Sequence, residues 1–166
     1  VWMPEPSGIQ LQDLMDRPTQ HFNSTAGGNF PSSCLGRAWF QYRILDLAAC
    51  IAATHLTGPE VNFNLELHDP MEEYQQRHTT LFDGVDWRGI SGKYRVTFGK
   101  ESHVEVGFDD SLPTLKASVG AFTRLWLGVR PATGLAVTDD LSGPPELLLQ
   151  LDEALRLPSP VTDWAF

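Results

Sequence analysis

"KYRVTFGKESHVEVGF" (Lys93–Phe108) holds two short runs in which apolar and polar residues alternate. Tyr94, Val96 and Phe98 share one face of the first, and Val104, Val106 and Phe108 share one face of the second. Period two is the mark of a half-buried strand. "GKES" (Gly99, Lys100, Glu101, Ser102) between them suits a hairpin loop. An antiparallel hairpin with one apolar face needs a covering layer, so the rest of the chain is read for what supplies it.

Upstream, "EVNFNLEL" (Glu60–Leu67) alternates in the same way, with Val61, Phe63, Leu65 and Leu67 inward and Glu60, Asn62, Asn64 and Glu66 outward. "AWFQYRIL" (Ala38–Leu45) alternates too and is expected to be the first strand. "DLAACIAATHL" (Asp46–Leu56) lies between them as a helix with Asp46 as N-cap, apolar nearly all round and therefore expected to be buried. Downstream, "LPTLKASV" (Leu112–Val119) adds a fifth strand, with Leu115, Ala117 and Val119 on one side.

The remainder reads as helical. In "GAFTRLWLGVRPATGLAV" (Gly120–Val137), Phe122, Leu125, Trp126 and Val129 fall at helical spacing, and Pro131 interrupts before a short second helix near Ala132–Val137. Leu127 lies off that stripe and is the position to watch for a second contact. In "SGPPELLLQLDEALRLP" (Ser142–Pro158), Ser142 is a candidate cap, Pro145 suits the first turn, Leu148, Leu151 and Leu155 form the stripe, and Pro158 stops the helix. His68 to Ser91 reads as a long polar connection. Five strands with helices grouped around them predict an α+β fold, with a mainly antiparallel sheet and helices on one face. Residues 1–35, rich in Pro, Gly and Ser, read as an irregular arm or linker, and residues 36–166 as the domain.

Composition narrows the function classes. A chain of 166 residues can bury a sizeable core. A net charge of −9 with no Lys or Arg run excludes nucleic acid and anionic membrane surfaces as natural partners. Cys34 and Cys50 are too few for a disulfide framework and lack metal-site spacing, and free thiols fit a cytoplasmic location. Cys50 reads as a small buried hydrophobe. No run is long enough for a membrane span and no signal peptide opens the chain. Val1 in place of Met admits an excised piece of something longer.

Chemical motifs are sparse. "GISGK" (Gly89–Lys93) lacks the first Gly of a phosphate loop, since Trp87 stands there, and Tyr94 follows Lys93 where Ser or Thr is needed. No G-x-S-x-G elbow occurs. His103 and Glu105 share a strand face, but they read as an exposed polar face, and no metal or cofactor is expected. Asp69, Glu72 and Glu73 in "HDPMEEYQQRH" (His68–His78) read as a solvated acidic cluster. An apolar pocket leaves no motif, because its lining and an ordinary core use the same residues. Phe40, Tyr42, Phe63, Tyr94, Phe98, Phe108, Phe122 and Trp126 are the candidate lining, with plain packing as the competing reading.

The order of elements resembles the sterol carrier protein domain, and more closely the diverged form that closes Eis-type GNAT N-acetyltransferases. "WFQYRILDLAACIA" (Trp39–Ala52) is similar to their Trp-x-x-Arg segment and Ala-rich helix, with one more residue between Trp39 and Arg43. "LELHDP" (Leu65–Pro70), "GKY" (Gly92–Tyr94) and "RLWLGVRPATGLAV" (Arg124–Val137) resemble three further motifs, and the likeness runs from about Gly36 to Phe166. The resemblance implies a curved sheet covered by helices, which in some members encloses a lipid tunnel. It also implies a catalytic role for the α-carboxylate of Phe166 as general base, only when the domain is joined to an acetyl-CoA-binding GNAT portion, which this chain lacks. The chain by itself is then no enzyme but an accessory structural or docking domain, with a GNAT domain or a second copy as partner. The alternative is a stand-alone carrier of a lipid or other hydrophobic small molecule.

Overall fold

The computed structural model describes residues 42–157. The order is α1 (Leu47–Ala52), β1 (Val61–His68), α2 (Met71–Arg77), a 3-10 turn (Thr79–Leu81), β2 (Gly92–Phe98), β3 (His103–Val106), β4 (Thr114–Ser118), α3 (Val119–Trp126), α4 (Ala132–Thr138), β5 (Leu141–Ser142) and α5 (Pro145–Ala154). The fold is α+β, with a five-stranded open sheet in the order β3-β2-β1-β4-β5. Pairing is antiparallel except between β1 and β4, which run parallel.

Register explains the core. Val61, Phe63 and Leu65 lie opposite Phe98, Val96 and Tyr94 across β1 and β2. Leu65 and Leu67 lie opposite Leu115 and Ala117 across β1 and β4, and Ala117 faces Leu141 of β5. All but Tyr94 form one buried cluster with Phe122 and Leu125 of α3, Leu135 of α4, and Leu147, Leu148 and Leu151 of α5, against which half-buried Tyr94 packs. The expected stripe Leu148, Leu151 and Leu155 is buried, with Leu147 added. Pro145 opens α5 at its first turn, where a missing N–H costs nothing.

The opposite face is polar and held by cross-strand pairs. Arg95 is ion-paired with Glu105, Lys116 Nζ is 3.2 Å from Glu66, and Thr97 Oγ1 donates to Asn62 at 2.6 Å. Asn64 departs from its neighbours: it points to this face yet is buried. Its Nδ2 donates to the carbonyls of Asp109 (2.7 Å) and Leu112 (3.1 Å), and its Oδ1 accepts from the Asp109 N–H (2.9 Å). The β3–β4 connection is thereby pinned over the sheet.

Several expectations are corrected. Tyr42–Leu45, the described part of the expected first strand, joins no ladder. The Ile44 N–H instead bonds Thr123 Oγ1 (3.3 Å) and the Leu45 carbonyl accepts from Trp87 Nε1 (3.2 Å), so side chains take the backbone groups a neighbouring strand would need. The fifth strand is β5, two residues long. Asp46 caps α1 as expected, accepting from the Ala49 N–H at 2.9 Å, but the helix buries only Leu47 and Ile51. Val106 is 86% exposed, because β3 is an edge strand and ends there. Val119 opens α3 rather than closing β4. Ser142 belongs to β5 and caps nothing, while Pro144 takes the N-cap position of α5. The connection from His68 to Ser91 carries α2 and the 3-10 turn. Pro158 and the arm lie outside the described residues.

Pro131 is not what ends α3. Gly128, at φ +68°, donates to the Leu125 carbonyl, and the Val129 N–H reaches back to Arg124, both at 3.0 Å. This is the paired C-terminal bonding that favours glycine. Val129 therefore leaves the stripe assigned to it. A Cβ at Gly128 would lie 2.7 Å from Leu157 Cβ. Gly128→Ala is expected to cost about 2 kcal/mol, since left-handed backbone and contact both oppose it. Gly120→Ala, in α3 with open space around it, should instead add about 0.5 kcal/mol. Urea denaturation midpoints of the two variants should move in opposite directions.

Candidate functional site

Arg43, Asp69, Gly92 and Tyr94, from three separate sequence motifs, meet at the end of β1. Asp69 follows the strand directly and its carboxylate is fully buried. Its Oδ1 accepts from the Met71 N–H at 3.0 Å, which satisfies a donor at the start of α2, and is ion-paired with Arg43. Its Oδ2 accepts from the Ile90 N–H at 3.0 Å. The Asp69 N–H donates to Ser91 Oγ at 2.7 Å, and the Ser91 hydroxyl donates back to the Asp69 carbonyl at 3.0 Å. Arg43 also lies over the Trp87 ring, 5.7 Å from its centroid. Tyr94 completes the corner, its hydroxyl donating to the Ile90 carbonyl at 3.0 Å. The ring folds back over Gly92, where a Cβ would sit 2.9 Å from the Tyr94 hydroxyl.

Burial by itself pushes the Asp69 carboxyl up, but the Ile90 N–H, Arg43 and the Met71 N–H outweigh it and hold it below the ordinary carboxylate value. Tyr94 is raised, by burial and then by the Asp69 charge. This corner is a structural lock. Both Asp69 carboxylate oxygens are bonded by the protein's own donors.

Two clefts lie elsewhere. One, of about 420 Å³, is lined by Thr54, His55, Leu56, Trp126, Leu127 and Leu157. Trp126 Nε1 is fixed there by Thr54 Oγ1 at 2.8 Å. Leu127, the residue off the helix stripe, faces this groove. The other, of about 280 Å³, lies on the polar sheet face among Asn62, Arg95, Thr97, His103, Glu105 and Asp109. Asp109 is held below the usual carboxylate range by the Ser111 hydroxyl and N–H. Among the described residues no group of three His, Cys, Asp or Glu side chains is placed to hold a metal ion, and no helix is long and apolar enough to cross a membrane.

Among the described candidate pocket residues, three lie in the common core, and Tyr94 and Trp126 pack against it. Phe63, Phe98 and Phe122 are fully buried in the common core, with Phe63 and Phe98 5.8 Å apart between centroids. Tyr94 is at the Asp69 corner. Phe108 lies half-buried with Lys93 Nζ 5.1 Å from its ring. Trp126 lines the groove, and Tyr42 is 54% exposed. Phe40 and Phe166 lie outside the described residues. Asp69, read as part of a solvated acidic cluster, is buried, while Glu72 and Glu73 are exposed. "GISGK" is a loop entering β2. Arg43, Asp69, Gly92 and Tyr94 stand in separate stretches of sequence, and no local pattern marks that they meet. The signal at Asp69 itself was an Asp-Pro pair ending an apolar strand, where a helix start needs an acceptor.

The family profile described as sterol carrier protein domain matches residues 47–163. No curated protein matches the chain. Among solved structures, a GCN5-related N-acetyltransferase from Kribbella flavida is similar at 23% identity and a TM-score of 0.53, over 71% of this chain and 26% of that one. One from Anabaena variabilis ATCC 29413 is similar at 18% identity and 0.53, again over 71% and 26%. A conserved protein of unknown function from Enterococcus faecalis V583, described as a probable N-acyltransferase, shows 21% identity and a TM-score of 0.48, over 68% and 25%. The chain spans about a quarter of the length of these three structures.

Asp69→Asn removes the charge facing Arg43 and is expected to cost about 2–4 kcal/mol in urea titrations at pH 7. The folded carboxyl titrates below its unfolded value of about 3.9, so its contribution is complete above that value and lost as pH falls through the folded one. The wild type should lose this increment below about pH 4, and the variant should show a shallower acid limb there. Cys50 is raised by burial and by Asp46. In a Cys34→Ser background it should react with iodoacetamide at pH 8 several-fold more slowly than free cysteine.

Proposed function

Because the chain belongs to the sterol carrier protein domain family, with a fold shared with a quarter of each of two GCN5-related N-acetyltransferases, we propose that it is the accessory domain of an acetyltransferase-related protein. Its role is architectural: it presents a rigid surface to an acetyl-CoA-binding portion and supplies no acetyl-CoA site of its own. The observation that carries this reading is the close packing of three core aromatics. Phe63, Phe98 and Phe122, aromatics that a lipid tunnel would expose, are packed with no exposed surface. The Eis-type resemblance adds the α-carboxylate of Phe166 as the general base, usable only within the joined protein. A terminal carboxylate is a weak base at its ordinary pKa and needs desolvation to serve. The half-buried free thiol of Cys50 fits a reducing cytoplasm.

A second reading has one observation in its favour. The groove of about 420 Å³ has Leu56, Trp126, Leu127 and Leu157 in its wall, within the usual size range of small-molecule sites, about 300–1,000 Å³. In this reading the groove holds an alkyl chain and the domain acts as a carrier.

One experiment separates them. The chain purified without detergent is examined by native mass spectrometry, with solvent extraction of the same sample. The architectural reading expects the mass of the bare polypeptide and no acetyl transfer from acetyl-CoA to a panel of amines. Stoichiometric lipid in the extract, together with quenching of Trp126 by a spin-labelled fatty acid, would establish the carrier instead.

A further inference from the structure

We draw no further inference here: the strongest candidate, the exposed apolar patch of Tyr74, Leu81 and Val85 on α2 and the turn after it, carries nothing because nothing in the structure shows what covers it.

Discussion

A carboxylate with no exposed surface has to be held by donors from several sides, and Asp69 draws them from three separate pieces of the chain. Burying an ion costs several kcal/mol even after the protein relaxes. The cost is tolerable only with Arg43, Met71 and Ile90 in place together. That requirement fixes the path of residues 42–46, the start of α2 and the approach to β2. Trp87 extends the lock, stacking on Arg43 and bonding the Leu45 carbonyl, while Gln75 of α2 donates to the Trp87 carbonyl at 2.7 Å. Polar α2, with one buried residue, is thus positioned by hydrogen bonds where a more apolar helix would be positioned by packing.

The sheet and α3 are fixed by the other device, apolar burial in register. The two devices meet at Ile44, whose side chain is in the core and whose N–H bonds Thr123 of α3. Thr123 Oγ1 in turn donates to the Val119 carbonyl one turn back, at 2.7 Å. A single hydroxyl therefore joins the leading segment to the helix that covers the sheet. An architectural role needs this kind of rigidity, because a domain can hold a neighbouring surface only as steadily as its own elements are held.

The parts of the fold legible in the sequence are those in which one residue's face decides its fate. β1, β2 and β4 were readable because their inward residues are apolar and their neighbours polar. The same alternation misled at Tyr42–Leu45, since periodicity records which side chains face inward and says nothing of what the backbone bonds to. β5 was invisible: two residues have no period. The parallel pairing of β1 with β4 carries no local mark either. Gly128 was legible in principle, as a glycine near the end of an apolar stripe, but Pro131 offered a more obvious stop. At the site, the individual residues were visible and their partners were not. A buried acid looks like a solvated one until the arginine that faces it is known, and a core phenylalanine looks like a pocket phenylalanine until the space beside it is known.

The parallel pair between β1 and β4 also bears on how the domain forms. The β2–β3 hairpin closes over a four-residue loop, but β4, the second neighbour of β1, lies beyond the whole hairpin and the pinned β3–β4 connection in the chain. Closing so long a loop is entropically expensive before any contact rewards it. Pairing β1 with β4 therefore carries a closure cost that the hairpin does not. Asn64, on β1, is bonded to residues 109 and 112 and lies beside Thr114 in the register, so its amide offsets part of that cost in the folded state. A buried amide that looks like a detail of packing is also the tether that holds the crossover against the central strand.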